Sequence, residues 1–470
     1  MRRIKKQKMD ENIKEKIRER IVKRLAKISN RLSKMQIIAL GFLIVIMSGT
    51  LLLMLPVASR SGECTGFLDA LFTAVSATCV TGLVVVDTWV HWSLFGQIVI
   101  LVMIQIGGLG FMTVSVLFAL MMHRKIGLKE RSLISESVNA IQLGGIVGLV
   151  RKILIGTLIV EGTGAILLSV RFCGQLGLAR GIYYGIFHSI SAFCNAGFDL
   201  MGYQGEYSSM VNYSGDWLVN ITLVSLIVIG GIGFIVWDDI TKKKWHFKQY
   251  RVHSKIVLIT TAVLLFGGAF LFYLFEKDNI LAGMGPGETF LSSMFASTTT
   301  RTAGFNTTDI AAYTDAGKLL STILMFIGGS PGSTAGGIKT TTFVIFLLYM
   351  RSNMLKTKGV NIFHRRIHED SVKKASAVVC TNLLLALSVT LLICGTQGMG
   401  LSDVLLESVS AMSTVGMSSG ITRGFTAVSK IGIMILMYCG RVGSLSFALS
   451  FTDKRKTSPV EYPEEKILIG

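Results

Sequence analysis

The sequence has few charged residues for its length. Asp, Glu, Lys and Arg make up 16% of its 470 residues, whereas hydrophobic residues make up 51%. Soluble domains of ordinary composition carry about 25% charged residues. The deficit excludes an ordinary soluble protein and indicates a chain that lies mostly in lipid.

Cysteine is also scarce, and its spacing carries no signal. The seven cysteines are odd in number and none of them forms a C-x-x-C pair, so neither a disulfide framework nor a zinc site is predicted. The sequence also lacks a recognisable combination of nucleophile, general base and oxyanion donors. We therefore expect that the protein is not an enzyme.

Eight stretches are apolar enough to cross a membrane, since a bilayer core about 30 Å thick needs about 20 apolar residues of helix. The first stretch follows a basic segment and precedes no small-residue cleavage site, so we expect it to remain as a span. The sixth is interrupted by a glycine-rich loop. The stretches are residues 36–56, 93–122, 153–171, 217–237, 256–275, 319–350, 376–395 and 427–450.

Lysine and arginine cluster in five segments that alternate with poorly basic loops. Because cytoplasmic loops hold an excess of these residues, the pattern predicts a multi-pass protein of the plasma membrane with both termini in the cytoplasm. The net charge of +19 is then a topology signal and not a sign of nucleic-acid binding; the N-terminal tail is expected to contact lipid headgroups or to dock on a partner. The segments are residues 1–34, 123–152, 238–255, 351–374 and 452–470.

Four short segments between the spans share a pattern. Each has a hydroxyl residue six positions before a glycine and an apolar residue just after it. The segments are SATCVTGL from Ser76, SAFCNAGF from Ser191, TTTRTAGF from Thr298 and SAMSTVGM from Ser410, and their glycines are 115, 107 and 112 residues apart. A period near 110 residues indicates an internal repeat.

A half-helix precedes each of these glycines, at residues 66–79, 181–194, 288–300 and 401–413. These half-helices are too short to cross a bilayer, so each must enter the membrane and return. Irregular backbone at membrane depth persists only where it is buried in protein or faces water. The predicted fold is an all-α membrane protein in which four pseudo-repeats of helix, re-entrant pore loop and helix surround one central ion pore.

The repeats and the basic segments together divide the chain into six parts. The predicted parts are a cytoplasmic N-terminal tail at 1–34, repeat 1 at 35–122, a linker with repeat 2 at 123–237, a linker with repeat 3 at 238–350, a linker with repeat 4 at 351–451, and a cytoplasmic C-terminal tail at 452–470.

The stretch GGSPGSTAGGIK, residues 328–339, superficially resembles a phosphate-binding loop. That motif reads G-x-x-x-x-G-K-[ST]; from Gly332 the spacing reaches Gly337, but Ile338 stands where the lysine belongs. The flanks are apolar, so we interpret the stretch as a break inside one span. Its glycines disfavour a stable helix, and Ser333 and Thr334 could bond the freed backbone groups.

Glycine pairs recur at the matching place in the other second spans. GGLG begins at Gly107 and GGIG at Gly230, and such small residues let helices approach closely. In the last span Arg441 follows Gly440. A charge inside a membrane span is costly and usually marks function, so we expect Arg441 to face the ion pathway and the glycine-rich loop.

Several other charged residues accompany the half-helices. Asp69, Glu288, Asp403 and Glu407 lie before or within them; they either stabilise the positive ends of the helix dipoles or form an outer ring of negative charge. Arg301 lies three residues before the third glycine, and we interpret it as an anchor for its loop, since a cation does not bind a cation.

The four glycines in register, the repeated order of helices and the loop at 328–339 resemble the Trk/Ktr/HKT superfamily of potassium transporters, most of all the transmembrane subunit of a Ktr-type uptake system. The resemblance covers about residues 36–450. It implies potassium uptake through a filter of backbone carbonyls. The implied filter residues are Val80, Thr81, Gly82, Asn195, Ala196, Gly197, Thr302, Ala303, Gly304, Thr414, Val415 and Gly416.

In that superfamily the broken span supplies a gate beneath the filter. The implied gate residues are Gly328, Gly329, Gly332, Gly336, Gly337 and Lys339, with Arg441 facing them. Lys339 either repels an unhydrated cation or reaches the inner headgroups. None of the four segments reads T-V-G-Y-G, so the selection of potassium over similar cations should be less strict than in a potassium channel.

The resemblance also implies partners and ions. It predicts a homodimer of membrane subunits, a cytoplasmic ring of nucleotide-binding regulatory subunits, potassium as the transported ion, and sodium as a second candidate ion. The alternative is a secondary active cation transporter, in which broken helices surround a site at the membrane midplane and the repeats rock. That alternative leaves the four glycines in register unexplained.

Overall fold

The computed structural model describes residues 33–110, 112–114, 116–117, 127–137, 145–244, 246–357, 359–443, 463 and 465. The predicted tails lie almost entirely outside these residues, as do parts of the predicted spans 93–122 and 427–450 and of the linker 123–152. Strands occur in the described part only as a short hairpin, β1 (Asn361–Ile362) paired antiparallel with β2 (Arg365–Arg366).

Four times along the chain, a first helix, a half-helix and a second helix follow one another. Repeat 1 contains α1 (Lys34–Leu53), the half-helix α2 (Phe67–Cys79), a short α3 (Thr88–His91) and α4 (Leu94–Leu109); α5 (Leu128–Ser137) lies in the linker. Repeat 2 contains α6 (Ile146–Leu176), the half-helix α7 (Leu178–Phe193), α8 (Trp217–Gly231) and α9 (Phe234–Lys243).

The last two repeats have the same order. Repeat 3 contains α10 (Val252–Glu276), the half-helix α11 (Pro286–Thr299), α12 (Asp315–Phe326) and α13 (Thr340–Met354). Repeat 4 contains α14 (Glu369–Gln397), the half-helix α15 (Leu401–Met412) and α16 (Ala427–Val442). The observed half-helices end within one residue of the predicted ends, so the fourfold repeat and the helical membrane fold are as the sequence predicted.

The four first helices are each long and apolar enough to cross a membrane. They contain 20 to 31 residues, and their most apolar windows have mean hydropathies of 2.0 to 2.4. Only 28 to 33% of each window is buried inside the protein. Since side chains this apolar are otherwise exposed, the remaining surface is suited to lipid.

The second helices and the half-helices differ in the residue that precedes their first turn. Each second helix begins after a residue whose side-chain oxygen accepts a backbone N–H of the first turn, which satisfies a donor that has no partner within the helix. These caps are Ser93, Asp216, Thr314 and Thr426. Each half-helix instead begins after a glycine, at Gly66, Gly177, Gly285 and Gly400.

In repeats 1, 2 and 4 the second helix ends before the predicted continuous span does. The predicted span 217–237 bends by 97° between α8 and α9. The cause is Gly233, whose φ of 93° lies outside the helical region. Gly110 and Gly443 end α4 and α16 with φ values of 84° and 98°, so a glycine with positive φ ends the helix at equivalent positions in three repeats.

The first glycine of each pair brings a second helix close to a half-helix. A Cβ atom at Gly107 would clash with the carbonyl oxygen of Thr78, and one at Gly230 with that of Phe193. A Cβ atom at Gly440 would likewise clash with the carbonyl oxygen of Met412. These close approaches hold the C-terminal ends of the half-helices at the centre of the molecule.

Candidate functional site

The four pattern glycines meet at the centre of the molecule. A Cβ atom at any one of them would clash with the carbonyl oxygen of the residue that precedes the next one. The pairs are Gly82 with Ala196, Gly197 with Ala303, Gly304 with Val415 and Gly416 with Thr81. The contacts close on themselves, so Gly82, Gly197, Gly304 and Gly416 form a ring, here called the glycine ring.

The backbone around each ring glycine has the same unusual conformation. The four glycines have φ values of 92°, 69°, 81° and 91°, and the residue two positions before each has a φ between 51° and 69°. The intervening residue is not in this left-handed region. All four segments therefore approach the ring with the same backbone geometry. The left-handed non-glycine residues are Val80, Asn195, Thr302 and Thr414.

Hydroxyl groups of the half-helices fix the turn into the ring. The N–H of Gly82 donates to the Ser76 hydroxyl at 3.1 Å, and that of Gly416 to the Ser410 hydroxyl at 3.0 Å. In repeat 2 the Ser191 hydroxyl instead donates to the carbonyl after the glycine, at 2.7 Å. These bonds explain the hydroxyl residue six positions before each of these three glycines.

Repeat 3 departs from this arrangement by one residue. There Thr299, five positions before the glycine, donates to the Phe305 carbonyl at 2.6 Å, whereas Thr298 bonds back into its own helix through the Met294 carbonyl. The Asn195 amide also reaches from repeat 2 into repeat 3, donating to the Thr302 hydroxyl at 3.2 Å. The ring is therefore braced between repeats as well as within them.

A cavity of about 70 Å³, here called the upper cavity, lies on one side of the ring and is lined by all four ring glycines. Asp87 and Asp199 lie on its wall. Asp87 accepts the Tyr207 N–H at 2.8 Å, and the Arg423 guanidinium stacks 3.6 Å above the Tyr207 ring. No signal in the sequence distinguished Asp87 or Asp199 from other acidic residues.

The acidic residues that the sequence did single out are each held by a partner. Lys430 donates to Asp69 at 2.7 Å, Lys318 to Asp403 at 2.9 Å, Ser214 to Glu288 at 2.5 Å and Thr422 to Glu407 at 2.8 Å. Glu407 is fully buried. The arrangement favours anchoring of the half-helices over an outer ring of free negative charge.

The loop at 328–339, here called the gate loop, lies on the opposite side of the ring. The Thr334 hydroxyl donates to the Phe193 carbonyl at 3.0 Å, and the Ser330 N–H donates to the Gly231 carbonyl at 3.0 Å. Gly336 packs against the Thr414 side chain. The loop thus contacts the inner ends of half-helices α7 and α15, directly below the ring.

Arg441 joins the gate loop to two other repeats. Its guanidinium donates to the carbonyls of Thr334 and Gly107, and to that of Gly108 at 3.0 Å. Lys339 turns back on its own loop, where its ammonium donates to the Ala335 carbonyl at 2.8 Å. Lys339 therefore does not reach toward lipid headgroups in this conformation.

Both cations line a cavity of about 360 Å³, here called the lower cavity, together with Gly332 and Gly337. Within the described part of the chain neither cation forms an ion pair with a carboxylate. Both donate to peptide carbonyl oxygens instead. Upper cavity, glycine ring, gate loop and lower cavity follow one another through the centre of the molecule.

Known proteins share the sequence features of this chain. The TrkH family model, described as a cation transport protein, matches residues 27–458. The chain is similar to the potassium/sodium uptake protein NtpJ of Enterococcus hirae, at 40% identity over 94% of this chain and 99% of that protein. It is also similar to the Ktr system potassium uptake protein B of Bacillus subtilis, at 37% identity over 94% of this chain and 97% of that protein.

The fold has a counterpart among solved structures. The crystal structure of the potassium transporter TrkH from Vibrio parahaemolyticus superimposes with a TM-score of 0.71, covering 90% of this chain and 86% of that chain at 17% identity. That likeness concerns the fold, whereas the family model and the relatives above concern the sequence. Since the model spans most of the sequence and the relatives match along nearly their whole length, the chain belongs to the TrkH family of cation transport proteins.

Proposed function

We propose that the chain takes up potassium ions across the plasma membrane, in a channel-like manner, through the glycine ring. The observation that carries the proposal is the closed ring of Gly82, Gly197, Gly304 and Gly416 with its repeated left-handed backbone. The similarity to a potassium/sodium uptake protein and to a potassium uptake protein supports potassium as the transported ion and sodium as a second candidate.

Peptide oxygens are the proposed ion ligands. A dehydrated cation needs oxygen atoms in place of its water shell, and rings of carbonyls supply them without net charge. The half-helices point their partially negative C-terminal ends toward the same centre, which favours a cation there. The proposed filter consists of the ring glycines with the carbonyls of Val80, Thr81, Asn195, Ala196, Thr302, Ala303, Thr414 and Val415.

The gate loop is the proposed barrier below the filter. In the present conformation the Arg441 guanidinium donates to the Thr334 carbonyl, and the Thr334 hydroxyl donates to the Phe193 carbonyl. An ion can pass only if the loop moves, so both bonds must break. The positive charges of Arg441 and Lys339 also disfavour an unhydrated cation beside them.

The side of the membrane and the partners are further proposals. The N–H of Phe234, at the start of α9, donates to the Gly332 carbonyl of the gate loop at 2.8 Å, and Lys242 and Lys243 lie further along α9. This basic helix beside the loop supports a cytoplasmic gate and cytoplasmic termini. A homodimer and a cytoplasmic ring of nucleotide-binding subunits remain the proposed partners, and the six-part division of the chain remains the proposed domain organisation.

The broken second helices support a second candidate, a secondary active cation transporter with rocking repeats. Helices interrupted at Gly110 and Gly233 are also the usual means of building a midplane ion site in such transporters. The two candidates differ in flux. A channel-like pathway allows competition among potassium, rubidium and sodium without obligate exchange, whereas rocking repeats require saturable exchange.

The test is growth of a potassium-uptake-deficient bacterium that expresses this chain. We expect growth at low external potassium and uptake of rubidium that external potassium inhibits. The Gly304→Ser variant, confirmed in the membrane by immunoblot, is the negative control. Failure of the wild-type chain to support growth or rubidium uptake would contradict the proposal.

A further inference from the structure

Arg301 occupies a position that is uncharged in the other three repeats. It lies three residues before Gly304, where the equivalent residues before the other ring glycines are Cys79, Cys194 and Ser413. Its side chain is buried, with 6% of the residue exposed. One quadrant of the glycine ring therefore has a buried guanidinium behind it.

The charge of Arg301 has little compensation. One terminal nitrogen donates to the Thr261 hydroxyl of α10 at 3.4 Å, and the other has no hydrogen-bond partner among the described residues. Within the same part of the chain Arg301 makes no ion pair. Arg441, by contrast, donates to three carbonyl oxygens.

A buried, uncompensated charge is strongly unfavourable for folding, so an anchor alone is a poor reason for an arginine here. A neutral side chain could hold the same hydroxyl. The charge also acts at a distance. Covalent geometry keeps the guanidinium within about 20 Å of Gly304, and burial leaves the interaction weakly screened by salt.

We propose that Arg301 is a fixed positive charge that weakens the binding of every monovalent cation in the glycine ring, so that ions leave it quickly. This inference rests on the proposed function. Conduction requires that binding is favourable enough for entry and weak enough for release. Arg301 lies just beyond the C-terminal end of half-helix α11, where it opposes the attraction that this helix end exerts on a cation.

The test compares Arg301→Gln and Arg301→Lys in uptake of rubidium and of sodium by the full-length chain in cells. Arg301→Gln should lower the half-saturating concentration of both ions by about threefold to tenfold. The ratio between the two ions should stay within about twofold, because a distant charge acts alike on all monovalent cations. Arg301→Lys retains the charge and should behave as wild type.

Thr261→Glu tests the same charge without altering Arg301. The new carboxylate would neutralise the guanidinium while keeping its anchor, so the half-saturating concentrations should fall as in Arg301→Gln; Thr261→Gln is the uncharged control. Unchanged values in Thr261→Glu, or a changed ratio of rubidium to sodium in Arg301→Gln, would overturn the inference. Absence of uptake by the wild-type chain would instead overturn the proposed function.

Discussion

The glycine ring and the gate loop both depend on glycine, but different contacts hold them. In the ring each glycine has a positive φ, and the space of its missing Cβ is filled by a carbonyl of the next repeat. In the gate loop Gly332 and Gly337 also have positive φ values, but the loop is joined to its surroundings by bonds of Thr334, Ser330 and Arg441. Backbone packing between repeats closes the ring, whereas side-chain bonds of Thr334 and Arg441 hold the loop in place.

This difference predicts effects of opposite sign. A substitution in the ring should reduce uptake, because the geometry has no alternative that accommodates a side chain. Removal of a contact that holds the gate loop should increase uptake, because the closed conformation loses stabilisation while the ring is untouched.

The largest expected effect is that of Gly304→Ser. The φ of 81° is unfavourable for serine, and its Cβ would clash with the Val415 carbonyl. Strain of this kind is about 1–3 kcal/mol for the backbone alone, and together with the clash it should lower rubidium uptake by about 100-fold.

Gly267→Ser is the matched control for that variant. Gly267 lies in α10 of the same repeat, and a Cβ there would meet no atom within 4 Å. Its uptake should equal that of the wild type. Equal uptake by the Gly304 and Gly267 variants would show that a ring glycine is no more important for uptake than another glycine of the same repeat.

Arg441→Ala should have the next largest effect, in the opposite direction. Loss of the charged donor frees the Thr334 carbonyl, and a hydrogen bond to a charged group contributes about 1.5–3 kcal/mol. The maximal rate of rubidium uptake should therefore rise by at least about tenfold. Arg441→Lys, which keeps the charge but not the forked geometry, should lie between Arg441→Ala and wild type. A rate in Arg441→Ala equal to wild type would show that Arg441 is not part of the barrier.

Thr334→Val should produce a smaller gain. The change keeps the shape of the side chain but removes the bond to the Phe193 carbonyl at 3.0 Å, and a neutral hydrogen bond contributes about 1 kcal/mol. Maximal uptake should rise about fivefold. Ser333→Ala is the control, since among the described residues its hydroxyl bonds only within the loop, to the Ser330 carbonyl. If both variants gave the same rate, the bond to Phe193 would not hold the gate.

The repeat and the position of the ring could be predicted from the sequence, because both depend on patterns of residues along the chain. Four glycines at a period near 110 residues, each after a half-helix, were enough to predict that Gly82, Gly197, Gly304 and Gly416 lie together. Glycine-rich composition likewise marked the gate loop as a break. Both predictions needed only the spacing of residues along the chain.

Other features of the site depend on contacts between distant segments. The left-handed conformation of Val80 and Thr302 has no sequence signal, since neither residue type favours it. The bonds of Arg441 to Gly107 and Gly108 join residues more than 330 positions apart. The bend after α8 was missed because a GGIG sequence also suits an unbroken helix that packs closely.

The smallest expected effect is that of Ser410→Ala. This variant loses the hydroxyl that accepts the Gly416 N–H at 3.0 Å, so the ring should be less rigid in one quadrant. The preference for rubidium over sodium should fall about twofold to threefold. Ser408→Ala in the same half-helix is the control, because the Ser408 hydroxyl has no hydrogen-bond partner among the described residues. An identical preference in both variants would show that the rigidity of the ring does not determine which ion is selected.

The most direct measurement is the anomalous diffraction of rubidium in crystals of the full-length protein. The account predicts a rubidium peak on the central axis, within coordination distance of the carbonyl oxygens that precede Gly82, Gly197, Gly304 and Gly416. Bound rubidium at another position, with none inside the ring, would contradict it.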